Sequence, residues 1–217
     1  MIEILIQYGD EILWGLLRTI MIVSGGFSVG MLAGIAMAFL LISHRWVLRW
    51  PMRTYVELIR NTPFLIQAML LFAALGVLRI RIDPLLVGGV VVAIYTSAYM
   101  AEIVRGALKS IPDGQWDAAS ALGLRSLRRF QLVIYPQLLP FALPASVNLF
   151  GTVTKESAFL SAVSVAELTF SGQVVIAQTF KVFEVWAIVG LLYLVLILAI
   201  LAAANRLERG LGWSNYA

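Results

Sequence analysis

The chain has 217 residues, of which 61% are hydrophobic and 13% charged, and it carries a formal net charge of +4. Its mean hydropathy is +0.91. So few charges cannot solvate a globular surface, which excludes a soluble domain and indicates an integral membrane protein. The absence of cysteine excludes disulfides and thiolate chemistry. Since each crossing takes about 20 apolar residues, we expect one all-helical domain with roughly five or six spans.

The first spanning helix is predicted over residues 15–43. Acidic residues interrupt the apolar pattern before it, and we interpret residues 1–14 as an interfacial, weakly amphipathic lead-in. A signal peptide would instead begin with basic residues and end in a small-residue cleavage site. Gly26, Gly30 and Gly34 then recur every fourth residue. Small residues at that spacing let another helix approach closely, so they predict a packing face.

A basic and aromatic stretch over residues 44–60, HRWVLRWPMRTYVELIR, is typical of a cytoplasmic membrane interface. The second span is predicted over residues 62–78. Asn61 and Thr62 supply a cap for it, and Pro63 falls in the first helical turn, where a missing N–H costs least.

The third span is predicted over residues 85–107, and Asp83 followed by proline marks its start. Small residues again fall four apart along it, at Gly89, Ala93, Ser97 and Ala101. This spacing predicts a second close-packing face.

The most polar part of the chain, DGQWDAASALGLRSLRR, follows the third span. Asp113 is predicted to cap a short helix that ends at Gly123, because glycine readily takes the left-handed conformation after a helix. A new cap at Ser126 begins the helix that becomes the fourth span, over residues 130–152. A polar, helix-prone segment in so apolar a chain indicates a docking site for a soluble partner.

Three prolines, Pro136, Pro140 and Pro144, lie on nearly one face of the fourth span. Each removes a backbone donor and frees a carbonyl one turn earlier. We expect this helix to be kinked or broken, in a setting where protein or a wet cavity satisfies the freed groups. Structural kinking and the lining of a transport pathway are both open interpretations.

Residues 155–184 are apolar enough to suggest a span, but Glu167, Ser171 and Gly172 interrupt them. A carboxylate in the middle of a span is costly, so we interpret this stretch as non-spanning and predict the last span over residues 183–204. With five spans, eleven of the sixteen Lys and Arg fall on the cytoplasmic side, whereas six spans would leave ten there. The charge distribution therefore favours an external N-terminus and a cytoplasmic C-terminus.

Motifs for catalysis or cofactor binding are absent from the sequence. There is no G-x-x-x-x-G-K-[ST] phosphate-binding motif, and His44 is the only histidine. We therefore predict that the chain is not an enzyme and holds no nucleotide or metal cofactor. In membrane proteins, basic residues are concentrated in cytoplasmic loops and set the orientation of the spans. The net positive charge therefore does not indicate a nucleic-acid partner.

Seven residues of the polar segment and the following helix form a spaced pattern: Asp117, Ala118, Ala119, Gly123, Val133, Tyr135 and Pro136. They resemble the EAA loop of ABC importer permeases, written EAA-x3-G-x9-I-x-L-P, with Asp and Tyr in place of the usual Glu and Leu. Residues 55–67, YVELIRNTPFLIQ, and residues 98–115 are similar to the polar amino-acid uptake branch of that superfamily.

The resemblance implies the type I permease fold and the membrane subunit of a bacterial inner-membrane importer. It implies cytoplasmic ATPase subunits that hold ATP and Mg, an external solute-binding protein, and a second permease chain, identical or similar. Membrane lipid would surround the permease chains. Residues 113–123 would be the cytoplasmic coupling helix. The residues that would contact the ATPase are Asp113, Gly114, Gln115, Asp117, Ala118, Ala119 and Gly123.

Polar residues in or near the membrane-spanning segments are candidates for the substrate pathway by default. These candidates are Glu57, Thr62, Gln67, Glu102, Lys155 and Glu156. Glu57 with Arg60, and Glu102 with Arg105, lie about one helical turn apart, so intrahelical ion pairs are the alternative for those two carboxylates.

Two other functions remain open from the sequence. A self-sufficient channel or secondary transporter is the alternative class, although secondary transporters are usually longer chains with inverted repeats and none is visible here. Within the importer class, the substrate could be a polar amino acid, an opine or an osmolyte.

Overall fold

The computed structural model describes the backbone of residues 1–210 and the side chains of residues 1–204 and 206. Within that range every element is helical. The α-helices are α1 (Ile2–Leu41), α2 (Trp46–Arg60), α3 (Phe64–Val77), α4 (Pro84–Lys109), α5 (Asp113–Ala121), α6 (Ser126–Arg129), α7 (Tyr135–Glu156), α8 (Leu168–Thr179) and α9 (Val182–Gly210). A π-helical segment (Phe130–Ile134) joins α6 to α7, and a 3-10 segment (Ser157–Val163) follows α7.

Four stretches of the described chain are long and apolar enough to cross a membrane: Ile2–Leu41, Pro84–Lys109, Ser126–Val163 and Val182–Ala204. A fifth crossing results if α2 and α3, which meet at a 108° bend, form one broken span. The prediction of an all-helical polytopic membrane fold is confirmed.

The two predicted small-residue faces pack against each other along α1 and α4. A Cβ atom built on Gly26, Gly30 or Gly34 would lie 2.5–2.6 Å from a backbone carbonyl oxygen of α4. Real Cβ atoms do not approach that closely, so the contact between the two helices requires glycine at these three positions. Thr96 and Ser97 of α4 are buried at this contact.

The first fourteen residues are not the interfacial lead-in that the sequence indicated. They form the start of α1 without interruption. Ile4, Tyr8 and Ile12 fall four residues apart on one face, and they pack in a cluster with apolar residues of α8 and α9. Four-residue spacing makes this face continuous, and its burial is a tertiary contact that composition alone did not indicate.

The predicted second span is shorter than expected. The helix α3 has 14 residues, which rise about 21 Å, less than the roughly 30 Å of a hydrocarbon core. Asn61 and Thr62 do not cap it, since their side chains donate to carbonyl oxygens of α2 at 2.7 and 2.8 Å. They satisfy the end of the preceding helix instead. Asp83 does cap α4, where its carboxylate accepts from the N–H of Leu85 at 2.8 Å.

The segment between α4 and α7 differs from the prediction in its caps. The helix α5 begins at Asp113 itself and has no side-chain cap, and Ser126 is the first residue of α6 rather than its cap. Gly123 has a φ of +73°. The predicted left-handed turn after the short helix is therefore confirmed.

The proline-rich helix was expected to be kinked or broken, and it is not broken at Pro140 or Pro144. The helix α7 continues through Pro140 and Pro144, and the irregularity is confined to the π-helical segment that ends just before Tyr135 and Pro136. A π-helical turn inserts one residue and changes the hydrogen-bond register, which accommodates the missing N–H of Pro136.

The 12-residue helix α8 is anchored at its start by a buried carboxylate. Glu167 accepts hydrogen bonds from the N–H groups of Thr169 and Phe170 at 2.9 and 2.8 Å, and from the Tyr193 hydroxyl of α9 at 2.6 Å. The hydroxyl oxygen of Thr19 in α1 accepts a hydrogen bond from the backbone N–H of Leu168 at 3.0 Å. A carboxylate that costs too much in a spanning helix is satisfied here at the N-terminus of a short one.

Candidate coupling surface and transport pathway

The short helix α5 presents an exposed face of small and polar residues. Six of the seven predicted coupling residues are exposed: Asp113, Gly114, Gln115, Asp117, Ala118 and Gly123. Ala119 is only 2% exposed and lies against the chain itself, so the structure does not bring it to this face. Leu122, which the sequence reading missed, is 78% exposed beside it. The resulting surface combines low side-chain bulk with one protruding apolar residue.

Side chains from α6 and from the start of α7 hold α5 in place. Arg129 donates to the Ser120 hydroxyl at 2.5 Å, and its guanidinium lies 5.7 Å from the centre of the Trp116 ring. Gln137 of α7 donates to the Gln115 side chain at 3.3 Å. The sequence alone assigned no role to Arg129. Its two contacts tie α5 to the residue that directly precedes the π-helical segment.

Glu57 and Glu102 line a cavity of about 920 Å³ between α2, α4 and the start of α5. Glu57 pairs with Arg53 at 2.8 Å, not with Arg60 as its spacing suggested. Glu102 forms the expected pair with Arg105 and also lies 3.7 Å from Arg60 of α2. We call this space the basic cavity, because basic residues outnumber acidic ones in its lining.

Thr62 and Gln67 lie at the bend between α2 and α3, beside a second cavity of about 350 Å³. The Gln67 amide donates to the carbonyl oxygens of Ile59 and Thr62, both at 2.8 Å. It thereby satisfies two carbonyls that the bend exposes. Its own Oε1 is buried and has no hydrogen-bond partner among the described residues. An unpaired buried acceptor is an exception among the polar groups of folded proteins.

Lys155 and Glu156 form the last turn of α7, where Lys155 is exposed and Glu156 half-buried. The six predicted pathway residues thus occupy three places: the basic cavity, the bend between α2 and α3, and the end of α7. The structure does not gather them into one binding site. Among the described residues, no group of three or more His, Asp or Glu could hold a metal ion.

Residues 30–213 match the family described as "Binding-protein-dependent transport system inner membrane component". The chain belongs to this family. Among its relatives, the glutamine transport system permease protein of Escherichia coli K12 is 35% identical over 96% of this chain and 93% of its own length. The probable glutamine ABC transporter permease protein of Bacillus subtilis is 32% identical over 94% and 93%.

Solved structures of transport permeases have the same fold. A chain of an amino acid ABC transporter crystallised with histidines superposes with a TM-score of 0.87 at 30% identity, over 94% of this permease and 95% of that chain. The MetNI methionine ABC transporter in an inward-facing conformation gives a TM-score of 0.79 at 22% identity, over 93% and 96%. The type I permease fold that the EAA-like pattern implied is confirmed, and the chain is a permease subunit of the ABC importer class.

Proposed function

We propose that this permease is the membrane subunit of an ATP-driven importer of the bacterial inner membrane that carries a polar amino acid or a similar small solute. The exposed face of α5 carries the coupling part of this proposal. The helix α5 lies outside every candidate span of the described chain, and its exposed side chains are small. Hydrogen bonds from α6 and α7 hold it in place. A partner that moves α5 would therefore also move the base of α7.

The proposed partners follow from what the permease lacks. ATPase subunits would bind the α5 face and supply ATP, Mg and hydrolysis, and an external solute-binding protein would deliver the substrate. A second permease chain, identical or similar, would complete the pathway. This chain would then contribute no catalytic residue and no cofactor of its own.

The proposed substrate pathway runs past the three places described above. A zwitterionic amino acid needs a partner for its carboxylate and another for its ammonium group. Lys155 and Glu156 provide both charges in one turn of α7, and the Gln67 oxygen provides an unused acceptor. Glu57 and Glu102 already hold arginines, so we place them at the margin of the pathway rather than at its binding site.

Reconstitution tests this proposal most directly. The permease, its co-expressed ATPase and the cognate binding protein would be placed in liposomes, and uptake of labelled glutamine, an opine and an osmolyte compared. We expect uptake that requires ATP and the loaded binding protein. Uptake by the permease alone, driven by a solute or ion gradient, would favour a secondary transporter or channel instead.

Topology gives an independent prediction. We expect a reporter fused before Met1 to lie outside the membrane and one fused after residue 217 to lie in the cytoplasm, because this orientation puts most Lys and Arg inside. The C-terminal residues 211–217 lie outside the described part of the chain. Alkaline phosphatase and green fluorescent protein fusions measure the two sides. Both ends on one side would contradict five crossings.

A further inference from the structure

The basic cavity has a composition that transport of an amino acid does not explain. Six basic residues line it: His44, Arg49, Arg53, Arg60, Arg105 and Lys109. Only three acidic residues do so: Glu57, Glu102 and Asp113. They come from the loop that follows α1, from α2, from the end of α4 and from the start of α5. The charge therefore accumulates only in the folded chain, where four separate elements meet.

The ion pairs within the cavity leave positive charge unbalanced. Glu57 is engaged by Arg53, and Glu102 alone serves both Arg60 and Arg105. Within the described chain, Arg49 and Lys109 have no carboxylate within 4.0 Å. Like charges held around one concave space repel each other, and a bound anion relieves that repulsion. The geometry thus favours an anionic ligand.

The same cavity also has an apolar side. Leu41, Val56 and Leu108 line it and are buried. On the helix α2, which carries three of the basic residues, Trp46 and Trp50 are 70% and 66% exposed. Exposed tryptophan beside arginine is typical of the headgroup region of a bilayer. The cavity therefore combines cationic groups and apolar side chains beside a helix whose exposed residues are typical of the headgroup region.

We propose that the basic cavity binds a phosphate-bearing anion, supplied by the headgroup of an anionic phospholipid or by free phosphate. Guanidinium groups bind phosphate oxygens in a bidentate manner, and two of the arginines are already oriented by Glu102. Basic pockets between helices on the cytoplasmic side of membrane proteins bind such headgroups. The bound anion bridges α2, α4 and the start of α5.

Native mass spectrometry of the full-length permease tests the site. Phosphatidylglycerol or phosphatidylcholine would be added to the detergent-purified protein and the retained lipid counted. We expect phosphatidylglycerol to be retained in preference. The double variant Arg49→Gln with Lys109→Gln should bind it about thirtyfold more weakly. Both side chains are exposed, so folding should survive. Arg79→Gln with Arg81→Gln removes the same charge away from the cavity and should retain wild-type binding.

A second arm distinguishes the two sources of phosphate. If the ligand is a lipid, phosphatidylglycerol raises the thermal unfolding temperature of the wild type and millimolar inorganic phosphate does not. If it is free phosphate, inorganic phosphate alone raises that temperature, and the Arg49 and Lys109 double variant loses the effect. The proposal is overturned if neither ligand discriminates the double variant from the Arg79 and Arg81 control. This test does not depend on transport or on an ATPase.

Discussion

Ala118→Arg should release the ATPase from the membrane fraction while leaving the permease folded. Ala118 is exposed on α5, so a long charged side chain there meets a partner and not the chain itself. Overpacking and an unpaired charge in such a contact should cost about 3 kcal/mol, which is roughly a hundredfold in affinity. Co-purification of the ATPase and transport in proteoliposomes measure the loss. Substrate-stimulated ATP hydrolysis should fall with them.

Two further variants sharpen this result. Ala119→Arg should instead detach α5 from the residues it packs against, because Ala119 is buried. We expect this variant to lower the thermal stability of the permease itself. His44→Arg adds the same charge outside α5, on the side predicted to be cytoplasmic, and should leave the ATPase bound. If Ala118→Arg transports normally with the ATPase still attached, α5 is a solvated loop and the coupling proposal fails.

Gly123→Val should weaken coupling by a different physical route. The residue has a φ of +73°, and a β-branched side chain in that left-handed region is strained. The turn would rearrange and shift the exposed face of α5 relative to α7. We therefore expect less ATPase to co-purify with this variant than with the wild type, in the same assay as for Ala118→Arg.

Gly30→Leu should cause the largest loss of stability. A Cβ atom at this position would lie 2.5 Å from the Ala93 carbonyl oxygen and 2.7 Å from the Thr96 side chain. A backbone oxygen cannot move aside without separating α1 from α4, so we expect a cost of at least about 3 kcal/mol. Thermal unfolding in detergent, followed by tryptophan fluorescence, would show a markedly lower transition temperature or no folded protein.

Gly25→Leu is the matched control for this helix contact. It introduces the same side chain into α1, five residues away, where nothing lies within 4 Å of the added Cβ. We expect its transition temperature to stay close to that of the wild type, since surface substitutions usually change stability by about 0.5 kcal/mol or less. Equal destabilisation by the two variants would show that α1 tolerates bulk poorly everywhere, and not that Gly30 is a contact.

Several features of this permease follow from local sequence alone. Small residues at every fourth position predicted the α1 and α4 faces, because helix periodicity places such residues on one side. Asp83 and Gly123 predicted a helix start and a helix end for equally local reasons. The EAA-like spacing from Asp117 to Pro136 indicated the family, since that pattern lies within one short stretch of sequence and needs no tertiary information.

Tertiary structure decided the features that depend on which elements meet. Ala118 and Ala119 are indistinguishable in sequence, yet about 100° of helical rotation exposes one and buries the other against the chain. Glu167 looked too costly for the membrane interior, and only hydrogen bonds from α9 and its own helix start make its burial acceptable. The basic cavity unites residues from four elements. No local pattern encodes that meeting, because contacts between distant segments are selected by the packing of the whole fold.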